Sequence, residues 1–325
     1  MKIALIGLGS VGRGVWEILK DDERFIFTAA ADSRSGVINP KGINIGDIIR
    51  RKCNTGLCGD KSISAEKIAE EADFDTLIED TPTNAQTGEP ALTIIKTALM
   101  RGKNVVTSNK GPISVAFKEL EEIADKHNAM LEYEGTVAGA VPILSGIKYG
   151  LAGNKIKSIA GVLNGTCNYI LTRMEEEGLT YAQALSEARV LGYAEADPTY
   201  DVDGTDAAIK LVIIANTMLG MDVKLSDVKR TGIDGLTADA LLMAESTGHS
   251  IRLIASIDVD KKSLEVCPRL IPELNPLVVD ETLNAITVNT EYAGAITFIG
   301  RGAGSVETAS AILSDLLFIY DKNNA

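Results

Sequence analysis

Three observations predict the fold class of this 325-residue chain. Short apolar runs alternate with amphipathic helical patterns through roughly the first 135 residues. A glycine-rich turn joins the first run to the first helix. After Glu134 the character changes to helices mixed with strands of antiparallel type. Together they predict an α/β protein, a doubly wound parallel sheet followed by a second α+β domain with a largely antiparallel sheet.

KIALIG (2–7) is a continuous apolar run, as expected of a strand covered on both faces. Gly7, Gly9 and Gly12 then open a helix through VWEILK, and a second strand, FIFTAAAD, ends at Asp32. Further strands are predicted at 75–80, 103–108 and 129–134, with helices at 63–71, 87–101 and 112–127 between them. Residues 33–61 interrupt this alternation with Gly, Pro and Asn and read as a loop. That loop carries Arg34, Lys41, Arg50, Arg51, Lys52 and Lys61 against only Asp47 and Asp60. Beyond Glu134, helical patterns at 140–150, 167–176, 180–191, 205–219 and 236–247 mix with strands at 156–163, 250–258, 263–270, 283–290 and 294–299. The second sheet is expected to be covered by helices on one side. The closing segment AGSVETASAILSDLLFIY reads as one amphipathic helix. The expected division is therefore a dinucleotide-binding domain at 1–135, onto which a C-terminal helix at 303–325 packs back, and a substrate-binding and dimerisation domain at 136–302.

The net charge of −13 argues against nucleic-acid binding, because phosphate contacts need a basic face. Four cysteines do not make a disulfide framework in a chain of this size, and two histidines make a four-ligand zinc site a poor expectation. Cys53 and Cys58, five apart, leave open a loop disulfide or half a metal site. The N-terminus suits a first strand better than a signal peptide, and no apolar run approaches the length of a membrane span.

Gly7-Leu8-Gly9-Ser10-Val11-Gly12 is a G-x-G-x-x-G directly after a buried strand and opening a helix. The first glycine allows the tight turn, the second lets backbone approach a pyrophosphate, and the third lets helix and strand pack closely. Asp32 follows twenty residues past Gly12, where a carboxylate binds ribose hydroxyls. A bare glycine turn can exist for packing alone; the strand, the helix and the acid make it a Rossmann-type dinucleotide site. Asp32 favours NAD, since a carboxylate repels a 2′-phosphate, while Arg34 and the basic loop keep NADP open. Thr81-Pro82 and Ser108-Asn109-Lys110 follow two further strands, at the end of the sheet where ligands of such folds bind. On position alone, Lys110 is as readily an exposed surface lysine as a functional one.

The segment from Glu195 to Lys210 gathers Glu195, Asp197, Asp201, Asp203 and Asp206 beside Lys210. If DGTDAAIK opens a helix, Asp206 and Lys210 share one face, with Asp203 or Thr205 as the cap. Acids at a helix start are usually caps, and from this segment alone the cap reading leads.

Six ordered segments then carry a resemblance. GLGSVG (7–12), TSNKGP (107–112), EGTVAGAVPI (134–143), NGTCNYIL (164–171), LGYAEADPTYDVDGTDAAIK (191–210) and GRGAGSVETASA (300–311) together resemble homoserine dehydrogenase. The form it resembles is the short one, with neither an amino-terminal kinase nor an appended regulatory domain. The resemblance implies a cytoplasmic enzyme for the reversible NAD(P)-dependent conversion of L-homoserine to L-aspartate 4-semialdehyde, on the route to threonine and methionine. It implies that Lys210 donates or accepts the proton, that Lys110 lies near both nicotinamide and substrate oxygen, and that Glu195 binds the substrate ammonium with Asp206 beside it. It also implies that Gly165 and Thr166 meet the substrate carboxylate. Cofactor contacts are implied at Gly7, Gly9, Ser10, Val11, Gly12, Asp32, Arg34, Thr81, Pro82, Ser108, Lys110 and Gly302. Glu134, with the carbonyls of Val137, Gly139 and Val141, matches a monovalent-cation site, usually sodium, as oxygen-only ligands suit a hard cation. A homodimer through the second domain's sheet is implied as well. The family's closing turn usually reads GPGAG followed by Pro-Thr. Arg301 and Glu307 stand here in place of those prolines, which puts cofactor preference and product release, rather than the chemistry, in question.

Two rival readings remain. An aspartate or diaminopimelate dehydrogenase on the same scaffold would deaminate rather than oxidise an alcohol. An NAD-binding redox sensor would need a basic DNA-reading element, against which the acidic charge argues.

Overall fold

The computed structural model describes residues 1–324; Ala325, the last residue of the expected C-terminal helix, lies outside the described residues. The chain forms two units, Met1–Ala140 with the segment from Gly304 onward, and Val141–Ala303.

The first unit runs β1 (Lys2–Ile6), α1 (Ser10–Leu19), β2 (Ile26–Ala31), β3 (Gly36–Ile38), α2 (Ile45–Thr55), α3 (Ala65–Glu71), β4 (Thr76–Glu79), α4 (Ala91–Met100), β5 (Asn104–Thr107), α5 (Lys110–Lys126) and β6 (Leu131–Glu132). Its sheet has the order β3-β2-β1-β4-β5-β6, so consecutive strands move outward in one direction from β1 and then reverse to β4. Ile3, Ala4, Leu5 and Ile6 are all buried, because helices cover both faces of the sheet and leave no polar side for β1 to present. Every strand pair is parallel except β2 with β3. That antiparallel edge corrects the wholly parallel sheet expected from the alternation.

The segment 33–61 is likewise not a loop. It contains β3 and the eleven-residue helix α2. Asn44 caps α2 by accepting the Asp47 amide at 3.1 Å, and Gly56 ends it in the left-handed conformation, φ 74°. Ile45 and Ile48 bury its inner face in the same core as Val15, Leu19 and Phe27. Four apolar positions among eleven were too few to outweigh the charged residues in the pattern. Cys53 is exposed, Cys58 is buried, and both are free thiols.

The second unit runs α6 (Ile143–Ser145), β7 (Ile156–Val162), α7 (Gly165–Glu177), α8 (Tyr181–Val190), α9 (Thr199–Val202), α10 (Thr205–Leu219), β8 (Val228–Arg230), α11 (Ala238–Glu245), β9 (His249–Asp258), β10 (Ser263–Pro272), β11 (Leu283–Thr290) and β12 (Ala295–Arg301). Its sheet order is β12-β11-β7-β9-β10-β8, antiparallel throughout except for β8 with β10. Helix α7 lies on β9 and β11, and α10 on β8, β9 and β10. Leu270 on β10 and Ile299 on β12 are exposed, 57% and 53%, and the register places them on opposite faces of the sheet, Leu270 with Ile251 and Ile257, Ile299 with Ala285 and Val162. The chain closes with α12 (Ser305–Asn324), which belongs to the first unit and packs on α1 and β5. The Ser305 hydroxyl donates to the Ser10 carbonyl at 2.5 Å. Gly14 makes that packing possible, since a Cβ there would come within 2.4 Å of the Ser305 carbonyl oxygen.

Arg252, 1% exposed on β9, ties the sheet to α7. Its guanidinium donates to Glu175 on α7 at 2.7 Å, to Asp280 at 3.1 Å and to the carbonyls of Ile251 and Val279. Glu175 is 12% exposed and Asp280 61%, so desolvation concentrates the energetic weight on the Glu175 pair. Arg252→Ala is expected to lower the unfolding free energy by about 3–5 kcal/mol, by leaving Glu175 buried without its cation. Replacing both partners with apolar residues should cost less than the single change. Denaturant titration of the three proteins checks this, and equal midpoints for Arg252→Ala and the parent contradict it.

Candidate active site

In the first unit the candidate residues collect at the carboxyl ends of β1, β2, β4 and β5. Gly7 follows β1 with φ +105°, a region that favours glycine, and a Cβ on it would reach 2.4 Å from the Asp80 carbonyl oxygen. Gly12 is as constrained, because its Cβ would fall 2.0 Å from the Gly7 carbonyl oxygen. Gly9 is different, since nothing lies within 4 Å of a Cβ there. Two of the three glycines therefore serve packing, and the middle one leaves open the space at the helix mouth. Gly9 is also the N-cap of α1 and offers no side-chain cap. The first-turn amides, including those of Ser10 and Val11, lack an acceptor from a capping side chain. A glycine turn with an uncapped helix end and an open approach fits a dinucleotide pyrophosphate.

Asp32 stands just past the end of β2. Its Oδ1 accepts the amides of Arg34 (2.9 Å) and Ser35 (3.0 Å), and its Oδ2 lies 3.1 Å from Lys52 Nζ. Burial pushes this carboxyl up, but the Arg34 amide, Lys52 and the Ser35 amide together hold it below the usual carboxylate range. Lys52 also donates to the Leu8 carbonyl at 3.3 Å, so α2 reaches the glycine turn itself. Arg34 is exposed beside it.

At the end of β4, Glu79 is fully buried and accepts from the Thr81 amide at 2.9 Å, the Thr107 hydroxyl at 3.0 Å and the Thr81 hydroxyl. Burial raises its pKa against those bonds. Asp80 accepts from the Ser108 hydroxyl at 2.5 Å. Asn109 caps α5 through the Gly111 amide and donates to the Thr81 carbonyl, both at 3.0 Å, fixing Thr81 to the start of that helix. Lys110 is the first residue of α5 and half-buried, while Pro82 is exposed.

In the second unit Asn164 organises the site. Its carbonyl oxygen accepts the Cys167 amide at 2.8 Å as the cap of α7, leaving the amides of Gly165 and Thr166 as the other first-turn donors. Its amide nitrogen donates to Asp201 at 2.7 Å and to Asp206 at 3.0 Å. Lys210, 6% exposed, lies four residues after Asp206 on α10 and 2.7 Å from its carboxylate. The same ammonium donates to the Leu163 carbonyl at 2.6 Å. Gly165 must be small, because a Cβ would sit 2.7 Å from the Thr282 carbonyl oxygen. The Thr166 hydroxyl donates to the Tyr193 carbonyl at 2.7 Å, tying the loop that carries Glu195 to the mouth of α7. Glu195 itself is exposed.

The expected cap of α10 needs correction. Neither Asp203 nor Thr205 occupies the N-cap; Gly204 does, in the left-handed conformation with φ +81° and no side-chain cap. A Cβ there would press on Val266 at 3.0 Å, so a glycine is required, and the cap falls between the two candidates while the helix begins at Thr205 as expected. Asp203 still accepts the Thr205 amide at 2.8 Å, and Asp197 accepts the Thr199 amide at 3.1 Å at the start of α9. These two acids have local structural partners, whereas Asp201 belongs to the Asn164 network. Elsewhere, Gly302 packs where a Cβ would overlap the buried Asn284 amide, 2.0 Å from its oxygen. Glu134 opens a short 3₁₀ turn and its amide donates to Asp315 at 2.9 Å. Val137 is buried and Gly139 has φ +52°, both in the first unit, and Val141 is the first residue of the second.

The family model for homoserine dehydrogenase matches residues 142–317. A homoserine dehydrogenase of Methanocaldococcus jannaschii is 42% identical, the alignment covering 99% of each chain. The chain belongs to the homoserine dehydrogenase family. An NAD(+)-dependent homoserine dehydrogenase of Pseudomonas canavaninivorans is 37% identical over 98% of this chain and 96% of its own. A hyperthermophilic archaeal homoserine dehydrogenase, solved in complex with NADPH, superposes with a TM-score of 0.85 at 29% identity, covering 99% of this chain and 98% of the other. Membership settles the reaction as the NAD(P)-linked interconversion of L-homoserine and L-aspartate 4-semialdehyde, and the amino-acid deaminase and redox-sensor readings give way.

Glu79, Asp80 and Asn164 were not singled out from the sequence, and Lys52, Asn109 and Asp201 were named there without these roles. Asn164 was legible, since an asparagine before Gly-Thr and a helical run is a cap signature. Lys52 was not, because α2 went unpredicted.

Gly9→Ala is expected to change stability by no more than about 0.5 kcal/mol, because its Cβ enters open space, while raising the KM for the dinucleotide. Gly12→Ala is expected to cost about 1–3 kcal/mol through the clash with Gly7. Thermal unfolding with cofactor kinetics on both variants checks the contrast, and equal stability losses contradict it.

Proposed function

We propose that the Asn164 cluster of the second unit is where homoserine is oxidised, with Lys210 moving the hydroxyl proton. One observation carries this reading. An ammonium has three N–H donors, and Lys210 spends two of them on Leu163 and Asp206, which leaves one for a substrate oxygen. In the reductive direction that N–H donates to the oxygen developing on the aldehyde carbon. In the oxidative direction the nitrogen, after losing a proton, accepts the one from the hydroxyl. General acid–base help of this kind is worth roughly 10²–10⁴-fold.

The amides of Gly165 and Thr166, at the positive end of the thirteen-residue helix α7, suit the substrate carboxylate. Glu195, on the loop held by Thr166, takes the substrate ammonium, and Asp206 orients Lys210 beside it. Lys110, at the start of α5, serves the nicotinamide end and the substrate oxygen. A nicotinamide dinucleotide supplies hydride exchange when bound, with Gly7, Gly9, Ser10, Val11 and Gly12 on its diphosphate and Asp32 and Arg34 at its adenosine ribose. Thr81, Pro82, Ser108 and Gly302 line its remaining length. NAD is the preferred carrier in this reading, because Asp32 presents an ionised carboxylate. Lys52 tempers that preference by neutralising it.

Glu134 with the carbonyls of Val137, Gly139 and Val141 is proposed to bind a monovalent cation, sodium by the hardness of its oxygen donors. The face of the second sheet that exposes Ile299 is proposed to pair with a second copy of the chain in a homodimer. Among the described residues no helix is long and apolar enough to cross a membrane; a cytoplasmic location is proposed from the biosynthetic reaction.

Lys210→Met is expected to lower kcat by roughly 10²–10⁴-fold with circular dichroism unchanged, and Glu195→Gln to raise the KM for homoserine with little effect on kcat. Near-normal turnover in the first, or an unchanged KM in the second, removes that residue from its role. Asp32→Ala is expected to shift the ratio of kcat/KM for NAD over NADP toward NADP. A ratio that stays put means that Asp32 does not discriminate between the two.

A further inference from the structure

Two carboxylates, Glu79 as the last residue of β4 and Asp80 just past it, stand where the strand order reverses between β1 and β4. Glu79 has donors for both oxygens. Asp80 does not. Its Oδ1 accepts from Ser108, just past the end of β5, but its Oδ2 is enclosed without any hydrogen-bond partner. The backbone of Asp80 is clamped as well: its amide donates to the Ile6 carbonyl at 2.8 Å, and its own carbonyl abuts Gly7. A half-paired carboxyl is thus locked directly against the glycine turn. A buried carboxyl oxygen without a donor is uncommon; Glu175 Oε1 is another among the described residues, but Asp80 is the one at the reversal of strand order, where ligands of open α/β sheets bind.

We propose that Asp80, held by Ser108 against the Gly7 turn, sets the relative affinity of the site for the oxidised and reduced forms of the nicotinamide cofactor. The inference rests on the dinucleotide reading of the first unit. The two redox forms share their diphosphate, riboses and adenine, and differ by one positive charge on the nicotinamide ring. Any repulsion between Asp80 and the diphosphate therefore cancels when the two forms are compared. Attraction to the ring cation remains, so a negative charge at residue 80 favours the oxidised form at whatever distance it acts, and distance sets only the magnitude.

The titration of the group agrees with this. Burial pushes the Asp80 carboxyl up to about 7; the Ser108 hydroxyl pulls against that shift and the charge of Glu79 adds to it. Glu79, the last residue of β4, and Ser108 past β5 are the groups that act on its charge, and Gly7 after β1 abuts it. A ring cation arriving nearby stabilises the ionised form and draws the proton off. Binding of the oxidised cofactor near pH 7 accordingly releases more protons, or takes up fewer, than binding of the reduced cofactor. Because the folded-state pKa is raised from 3.8 to about 7, stability is lost as pH rises through that interval and the carboxyl ionises, and it stays lost above it; an uncharged amide at this position is compatible with the fold.

The test uses the full chain. Dissociation constants for NAD+ and NADH, and for NADP+ and NADPH, are measured by titration calorimetry at pH 8 for the parent and Asp80→Asn. The ratio of reduced to oxidised dissociation constant is expected to fall about three- to tenfold in the variant. On the parent, titrations at pH 7 in two buffers of different ionisation heat count the protons released, so the proposal stays decidable even if the variant does not fold. An unchanged ratio, or equal proton release for the two redox forms, overturns the role of Asp80 while leaving the dinucleotide site standing. Failure of the parent to bind either form overturns both.

Discussion

A lysine ammonium buried in the second unit is the interaction around which the candidate active site is arranged. An isolated charge in a protein interior costs far more than a fold can spare, and it persists only when hydrogen bonds and a counter-charge replace its water. Lys210 meets that demand with one carbonyl and one carboxylate, Leu163 and Asp206. Each of these imposes something further. Leu163 immediately follows β7 and precedes the cap of α7, so the ammonium fixes where that helix begins. Asp206 must lie one turn before Lys210, so α10 has to be helical from its first residues. Gly204 makes that start possible by taking a conformation that other residues adopt only with strain. Asn164 completes the set by joining Asp201, Asp206 and the α7 cap through one amide group.

The first unit solves a different problem with backbone rather than charge. Gly7 and Gly12 let β1, β4 and α1 approach more closely than any side chain allows, and the mouth of α1 is left open at Gly9. Anion binding there needs no dedicated basic side chain, because the helix end supplies the donors. The carboxylates around this mouth serve separate ends. Asp32 is held ionised by Lys52 and two amides, Glu79 is satisfied by hydroxyls and an amide, and Asp80 keeps one oxygen unpaired. Three acids at the ends of two strands, Asp32 past β2 and Glu79 and Asp80 at the end of β4, thus stand in three different electrostatic environments, set by their neighbours and not by their residue type.

Much of this was legible beforehand, for physical reasons that differ from case to case. Strands buried on both faces announce themselves as unbroken apolar runs, which is why β1, β4 and β5 could be placed from their residues alone. The i, i+4 spacing of Asp206 and Lys210 put both on one face as soon as a helix was assumed. Helix α2 was lost because only one side of it is buried, and Gly, Pro and Asn nearby carried the stronger signal. With it went Lys52, whose partners Asp32 and Leu8 lie far away in sequence. The cap of α10 was misjudged because side-chain preferences favour Asp or Thr, whereas packing against Val266 and the left-handed turn select Gly204.

The sequence by itself determined the two-part α/β architecture, the glycine turn with its acid twenty residues on, and the pairing of an aspartate with a lysine one helical turn later. All of these follow from periodicities within a short stretch of chain, where covalent geometry ties residue spacing to direction in space. Tertiary structure alone decided which acids pair and which stay unpaired, which lysine reaches Asp32, and which asparagine gathers Asp201 and Asp206. Those outcomes depend on contacts between residues far apart in the chain, 28 apart for Asp80 with Ser108, 42 for Asn164 with Asp206 and 71 for Lys2 with Asp73. No local pattern encodes such a contact; it exists only once the sheets have brought the strand ends together.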